Sequence, residues 1–105
     1  SKGTKWPSGD YVPIAQLAIS PETLSTLLGI ELDEGHEPGM GHWVGAGIVL
    51  SNKELVEFVL YEGDTKGFAV RADREANLAE VLDKMLLALQ IEKSSLVWVS
   101  ELLNT

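Results

Sequence analysis

The chain has 105 residues, of which 45 % are hydrophobic and 23 % are charged, and it contains no cysteine. This length and composition predict a single globular domain over residues 1–105 and exclude a disulfide framework or a thiolate metal site. Sixteen acidic residues against eight basic ones give a formal net charge of −8. That balance argues against direct binding of nucleic acid, because such binding relies on Lys and Arg side chains that neutralise phosphates.

Residues 1–10 are predicted to form a flexible arm, since Gly3, Pro7 and Gly9 interrupt regular structure and only Trp6 has much apolar surface to bury. This stretch lacks the apolar run of a signal peptide. No apolar run elsewhere approaches the ~18 residues of a transmembrane helix. Together with the absence of cysteine, these features predict a cytoplasmic protein without membrane contact.

A first strand is predicted over residues 11–19 and a first helix over residues 21–28. Pro13 lacks a backbone N–H, so the strand is expected to lie at a sheet edge or to begin near this residue. Ser20 followed by Pro21 is typical of a helix start, because serine accepts free N–H groups and proline suits the first helical position. Gly29 favours the end of that helix.

A surface loop is predicted over residues 31–42, where Gly35, Pro38, Gly39 and Gly41 are closely spaced. From Trp43 onwards the apolar residues recur with a period of two, interrupted by turn residues near positions 52 and 65. This pattern predicts an antiparallel meander of three strands over residues 43–72.

A second helix is predicted after Asp73, which is expected to cap it. Its apolar residues recur at helical spacing at Leu78, Val81, Leu82, Met85, Leu86 and Leu89. The unbroken apolar run over residues 96–99 predicts a final strand that is buried on both faces. The predicted order is β-α-β-β-β-α-β, an α+β fold with a central antiparallel meander and two helices.

Both histidines lie beside carboxylates in the predicted loop, so one alternative function is a small metal- or ligand-binding enzyme that uses His36, Glu37 and His42. Their spacing matches no metal motif of a rigid element, and therefore no metal or other cofactor is predicted. The sequence also lacks a nucleophile elbow and a phosphate-binding loop that joins a strand to a helix. On these grounds the chain is predicted not to be an enzyme.

The second face of the predicted meander is more apolar than a solvated sheet face usually is. It carries Trp43, Val49, Leu55, Glu57, Val59, Tyr61, Ala69 and Arg71. One interpretation is that the first helix or the arm around Trp6 covers this face. The other is that the face is a contact surface, on which large aromatic side chains act as anchors.

The charge is unevenly distributed along the chain, since residues 31–64 hold eight acidic residues and one basic residue. A local negative field of this kind favours association with a basic protein, and carboxylates can mimic nucleic-acid phosphates in its active site. The predicted function is therefore an inhibitor or immunity-type protein that binds a basic partner such as a nuclease toxin. An alternative is a homo-oligomeric structural or scaffold subunit. The predicted partner-binding residues are Glu34, Glu37, Trp43, Glu57, Tyr61, Glu62 and Asp64.

Overall fold

A computed structural model describes residues 10–104 of the chain. The elements are β1 (Tyr11–Leu17), α1 (Pro21–Leu28), β2 (Asp33–Glu37), β3 (Gly41–Val49), β4 (Leu55–Tyr61), β5 (Phe68–Asp73), α2 (Leu78–Leu89) and β6 (Leu96–Val99), with short 3-10 turns at Lys93–Ser95 and Glu101–Asn104. All six strands form one antiparallel sheet in the order β2-β3-β4-β5-β1-β6. The α+β fold with its central meander and two helices is confirmed. The flexible arm predicted over residues 1–10 lies, apart from Asp10, outside the described residues.

Helix α1 has the bounds that its capping residues predict. The Ser20 hydroxyl accepts a hydrogen bond from the Thr23 backbone N–H at 3.1 Å, and Pro21 occupies the first helical position. Gly29 ends the helix with φ +68°, a left-handed conformation that glycine adopts without the steric cost of a Cβ atom. The capping signals in the sequence were sufficient to predict both ends of α1, because each signal acts within one turn of the helix.

The prediction of a surface loop over residues 31–42 is wrong, because this segment contains strand β2 and a tight turn. Residues 33–37 pair with residues 41–45 of β3, and His36 lies opposite His42. Gly39 and Gly41 adopt positive φ values of 85° and 91° in the connection, so two of the glycines shape a hairpin rather than a long loop. The long neighbouring strand supplies the pairing that the weak local strand propensity of β2 does not indicate.

Three further differences concern the remaining elements. Asn77 rather than Asp73 caps α2, since its side chain accepts from the Glu80 N–H, whereas Asp73 ends β5. Strand β6 is not buried on both faces, because it is an edge strand in which Val97 is 56 % exposed. Strand β1 lies inside the sheet, but β6 pairs only with its residues 15–17, so Pro13 is paired with β5 alone.

The core lies between one face of the sheet and both helices. Its largest fully buried side chains are Phe58, Phe68, Ile14, Leu17, Leu24, Met85 and Leu89. Leu24 of α1 and Met85 of α2 belong to the same apolar cluster as Phe58 of β4, so both helices cover the same sheet face. The interpretation that α1 covers the second face of the meander is therefore wrong. The alternative interpretation, that the arm around Trp6 covers it, concerns a residue outside those described. Among the described helices, none is long and apolar enough to cross a membrane.

Candidate functional site

The sheet surface opposite the helices is here called the open face. Cross-strand partners bring its side chains together, with Trp43 opposite Tyr61, Val59 opposite Ala69, and Glu57 opposite Arg71. Because successive residues of a strand point to opposite sides, these six side chains share the face that the helices do not cover. The open face is the one that the period-two pattern of the meander predicts.

A groove of about 170 Å³ lies on the open face. It is lined by Glu37, Trp43, Glu57, Val59, Tyr61 and Arg71. Gly45 and Gly47 lie opposite Val59 and Glu57 on the same face, and both are buried although they have no side chain of their own. Since residues 57, 59 and 61 alternate along β4, the groove runs along this strand, with Tyr61 at one end and Glu57 at the other.

Glu57 and Arg71 form an ion pair at the end of the groove farther from Tyr61. The Arg71 Nε lies 3.4 Å from the Glu57 Oε1, and the other end of the guanidinium donates to the Tyr11 carbonyl at 3.1 Å. Glu57 is only 8 % exposed, and burial raises the pKa of its carboxyl group, although the Arg71 charge partly offsets this shift. The buried Arg71 Nε has no well-aligned hydrogen-bond acceptor among the described residues. This ion pair is therefore close but imperfectly satisfied.

Glu37 and Tyr61 form the other end of the groove. The Tyr61 hydroxyl donates to the Glu37 Oε2 at 3.3 Å, and burial together with the Glu37 charge raises the pKa of Tyr61. The Trp43 ring forms the wall towards β2, where it lies so close over Gly35 that an added Cβ there would be 2.7 Å from Trp43 Cζ2. Gly35 thus permits the position of the indole ring, which is a second role for glycine besides positive φ.

The other three predicted contact residues lie outside the lining of the groove. Glu34 lies on β2 opposite Val44, so its side chain points to the face of the sheet that carries the core, where its carboxylate is 3.6 Å from the His42 ring. Glu62 follows β4 and accepts a hydrogen bond from the His42 backbone N–H at 3.2 Å. Asp64 lies in the next turn, where it accepts from the Lys66 N–H. All three acidic side chains are exposed.

The three residues of the alternative metal site do not converge. His36 and Glu37 are neighbours in β2, so their side chains point to opposite faces of the sheet. Glu37 lies in the groove with Tyr61, whereas His42 pairs with Glu34. Within residues 10–104, no group of three or more His, Asp or Glu side chains is arranged to hold a metal ion.

A second hollow on the open face was missed by sequence reasoning. It has a volume of about 330 Å³ and is lined by Pro13, Gln16, Lys66, Ala69 and Trp98. Trp98 lies opposite Gln16 and is 43 % exposed. The only sequence feature that indicates this hollow is Trp98 within an apolar run, and such a run is equally typical of a buried core strand. Val59 and Arg71, which line the first groove, were assigned to the correct face but not to the site.

Comparisons of the chain with protein-family models, with curated proteins and with solved structures found no match.

Proposed function

We propose that this chain is a non-enzymatic protein-interaction domain that binds a basic partner protein through the open face. The observation that carries the proposal is the groove, in which Glu37, Trp43, Glu57 and Tyr61 line one concave surface. These four residues are distributed over three strands, and pairing within the sheet brings them together. Large aromatic side chains beside carboxylates are typical of the anchors and charged rim of a protein interface.

The distribution of charge around the groove supports a basic partner. The exposed carboxylates of Glu62 and Asp64 follow the Tyr61 end of β4, next to the groove, whereas Glu34 points to the opposite face of the sheet. Exposed charges act over about 8 Å at physiological ionic strength. Charges next to the groove therefore influence a partner at the groove more than a partner at the helices. We expect this rim to accelerate association, while the aromatic side chains slow dissociation.

An inhibitor or immunity-type role in the cytoplasm is the form of this function that we propose. A small acidic domain that covers the active site of a basic enzyme needs no catalytic group of its own. Carboxylates presented at fixed positions can occupy sites that otherwise receive phosphates. Nuclease toxins are a class of basic partner that meets this description.

Charge reversal at matched positions tests the proposal. One variant carries Lys at Glu37, Glu62 and Asp64, and its control carries Lys at Glu75, Asp83 and Glu92, all of which are exposed. Both variants change the net charge equally, but only the first changes carboxylates that lie in or next to the groove. The wild type and both variants would be immobilised on a support and exposed to lysate of the source organism at low and high salt. The association rates of the captured protein with each variant would then be measured.

We expect the first variant to slow association by at least about tenfold and the control to remain within about threefold of the wild type. Equal slowing by the two variants, or capture that does not depend on salt, would contradict a localised acidic interface.

Self-association is a second candidate function, favoured by apolar side chains on and beside the edge strand β6. Val97 and Trp98 are 56 % and 43 % exposed, and the nearby Leu102 is also exposed. An edge strand with such side chains can pair with a second copy of the chain. A molar mass that rises with protein concentration, and that returns to the monomer value in Val97→Lys, would support this function.

A further inference from the structure

We propose that the groove receives one arginine side chain of the partner, with its guanidinium group between the Trp43 and Tyr61 rings and against the Glu37 carboxylate. This inference rests on the proposed function, because it specifies which chemical group of a basic protein the open face recognises.

The position of the guanidinium follows from the charges at the two ends of the groove. At one end Glu57 is already paired with Arg71 at 3.4 Å, and a second cation there would be repelled by the Arg71 charge. At the other end Glu37 accepts a hydrogen bond from the neutral hydroxyl of Tyr61, and Arg71, the cation in the lining of the groove, is paired with Glu57 rather than with Glu37. A cationic group is therefore directed to the Glu37 end.

The walls at the Glu37 end suit a cation that is partly removed from water. Trp43 and Tyr61 are cross-strand neighbours, and both line the groove. The face of an aromatic ring attracts a cation, and this attraction strengthens as water is excluded. The buried Val59 side chain forms an apolar floor between the two ends, over which the methylene groups of a long basic side chain can lie.

These surroundings favour a guanidinium over an ammonium group. A guanidinium is planar and weakly hydrated, it stacks on aromatic rings, and two of its N–H groups match one carboxylate. An ammonium group is compact and strongly hydrated, and its three donors would find only the Glu37 carboxylate at this end of the groove. Arg71 shows that the groove already accommodates a guanidinium beside a carboxylate.

The test uses three small probes of equal length on isotopically labelled protein: N-acetyl-arginine methylamide, the corresponding lysine compound and the corresponding citrulline compound. Citrulline keeps the shape of arginine but carries no charge. Binding is measured by NMR from the backbone amides of Val59 and Tyr61 and from the Trp43 indole N–H. Glu37→Gln is compared with Glu62→Gln, because both remove an exposed carboxylate but only Glu37 lines the groove.

We expect the arginine probe to bind at least about threefold more tightly than the lysine probe, and the citrulline probe to cause no saturable shift. Glu37→Gln should weaken arginine binding by about tenfold, a difference of about 1.4 kcal/mol, whereas Glu62→Gln should change it by less than about twofold. Lysine binding as tight as arginine binding, or an unchanged affinity in Glu37→Gln, would overturn this inference.

The outcome is separable from that of the proposed function. If the charge-reversal variants discriminate as expected but the probes show no preference for arginine, the basic interface stands and the arginine pocket fails. If the charge-reversal variants fail to discriminate, the proposed function itself fails, whatever the probes do.

Discussion

Removal of Arg71 should destabilise the protein more than removal of the Glu57 charge, because the two partners of this ion pair differ in burial. Glu57 is 8 % exposed, whereas the Arg71 side chain is 37 % exposed and also donates to the Tyr11 carbonyl. Arg71→Met leaves a buried carboxylate without its cation, and removal of one partner of a buried pair costs about 3–5 kcal/mol. The partial exposure of Arg71 and the poorly aligned contact reduce our expectation to about 2–3 kcal/mol.

Glu57→Gln should cost much less, about 1 kcal/mol or below. The substituted amide has nearly the same size, and its oxygen can remain next to the guanidinium. Arg71 also remains partly hydrated and keeps its bond to the Tyr11 carbonyl. The double variant, Glu57→Gln with Arg71→Met, should recover most of the loss seen in Arg71→Met, because no buried charge then lacks a partner.

The two single variants should also differ in their pH dependence. Burial raises the pKa of Glu57 in the folded protein, so the folded state binds this proton more tightly than the unfolded chain, in which the carboxyl pKa is near ~4.3. The stability contributed by proton binding is complete below that pKa and is lost as the pH rises through the higher pKa of the folded state. Removal of Arg71 should raise the pKa of Glu57 further and extend this loss to higher pH.

Urea unfolding at pH 7 and at pH 4.5 measures these differences. The penalty of Arg71→Met should be smaller at pH 4.5 than at pH 7, whereas Glu57→Gln should remove the titration from the stability profile. A penalty for Glu57→Gln that equals or exceeds that of Arg71→Met would refute the argument that Glu57 depends on Arg71 more than Arg71 depends on Glu57.

Three further predictions address the wall of the groove, the core and the helix caps. Gly35→Ala should displace the Trp43 ring, since the new Cβ would lie 2.7 Å from it. A shifted Trp43 indole N–H resonance and weaker binding of the arginine probe would show this displacement. An unchanged resonance would contradict it. Phe58→Ala and Leu82→Ala should each cost about 2–5 kcal/mol in urea unfolding, because both side chains are buried, whereas the exposed Thr65→Ala should stay within roughly 0.5 kcal/mol of the wild type. Asn77→Ala should cost about 1 kcal/mol through loss of the hydrogen bond to the Glu80 N–H, and Asp73→Ala should cost less if Asn77 is the cap of α2.

The elements that sequence reasoning placed correctly are those whose signals are local or strongly periodic. Helix α1 has a cap, a proline and a terminal glycine within ten residues. The meander alternates over three consecutive strands, so its period also assigned Trp43, Glu57 and Tyr61 to one face. In both cases the information lies within the segment itself and tertiary packing agrees with it.

The elements that were misplaced depend on partners far away in the sequence or on position in the sheet. Strand β2 has little strand propensity and forms because β3 offers it a pairing edge. The run at 96–99 resembles a core strand, but its location at the edge of the sheet leaves Trp98 exposed. No pattern in one sequence specifies which strand becomes an edge, and therefore the hollow beside Trp98 could not be predicted.

The same dependence explains why Glu37 was predicted as a contact residue but not as a neighbour of Tyr61. In the predicted loop its side chain had no defined direction. In β2 it points to the open face, and the 3.3 Å hydrogen bond to Tyr61 follows from that direction.

Departures from the usual rules of sheet construction concentrate around the groove. Glycine weakens the interior of a strand, yet Gly35, Gly45 and Gly47 lie in β2 and β3 beside the groove or under its wall. A carboxylate is costly to bury, yet Glu57 is the only charged residue among the buried side chains described. Such local conflicts with stability are expected where a surface is shaped for binding, since a sheet selected for stability alone would favour β-branched side chains at these strand positions. On the opposite face, the strand residues under both helices are apolar and packed, and this contrast supports the proposal that the open face binds a partner.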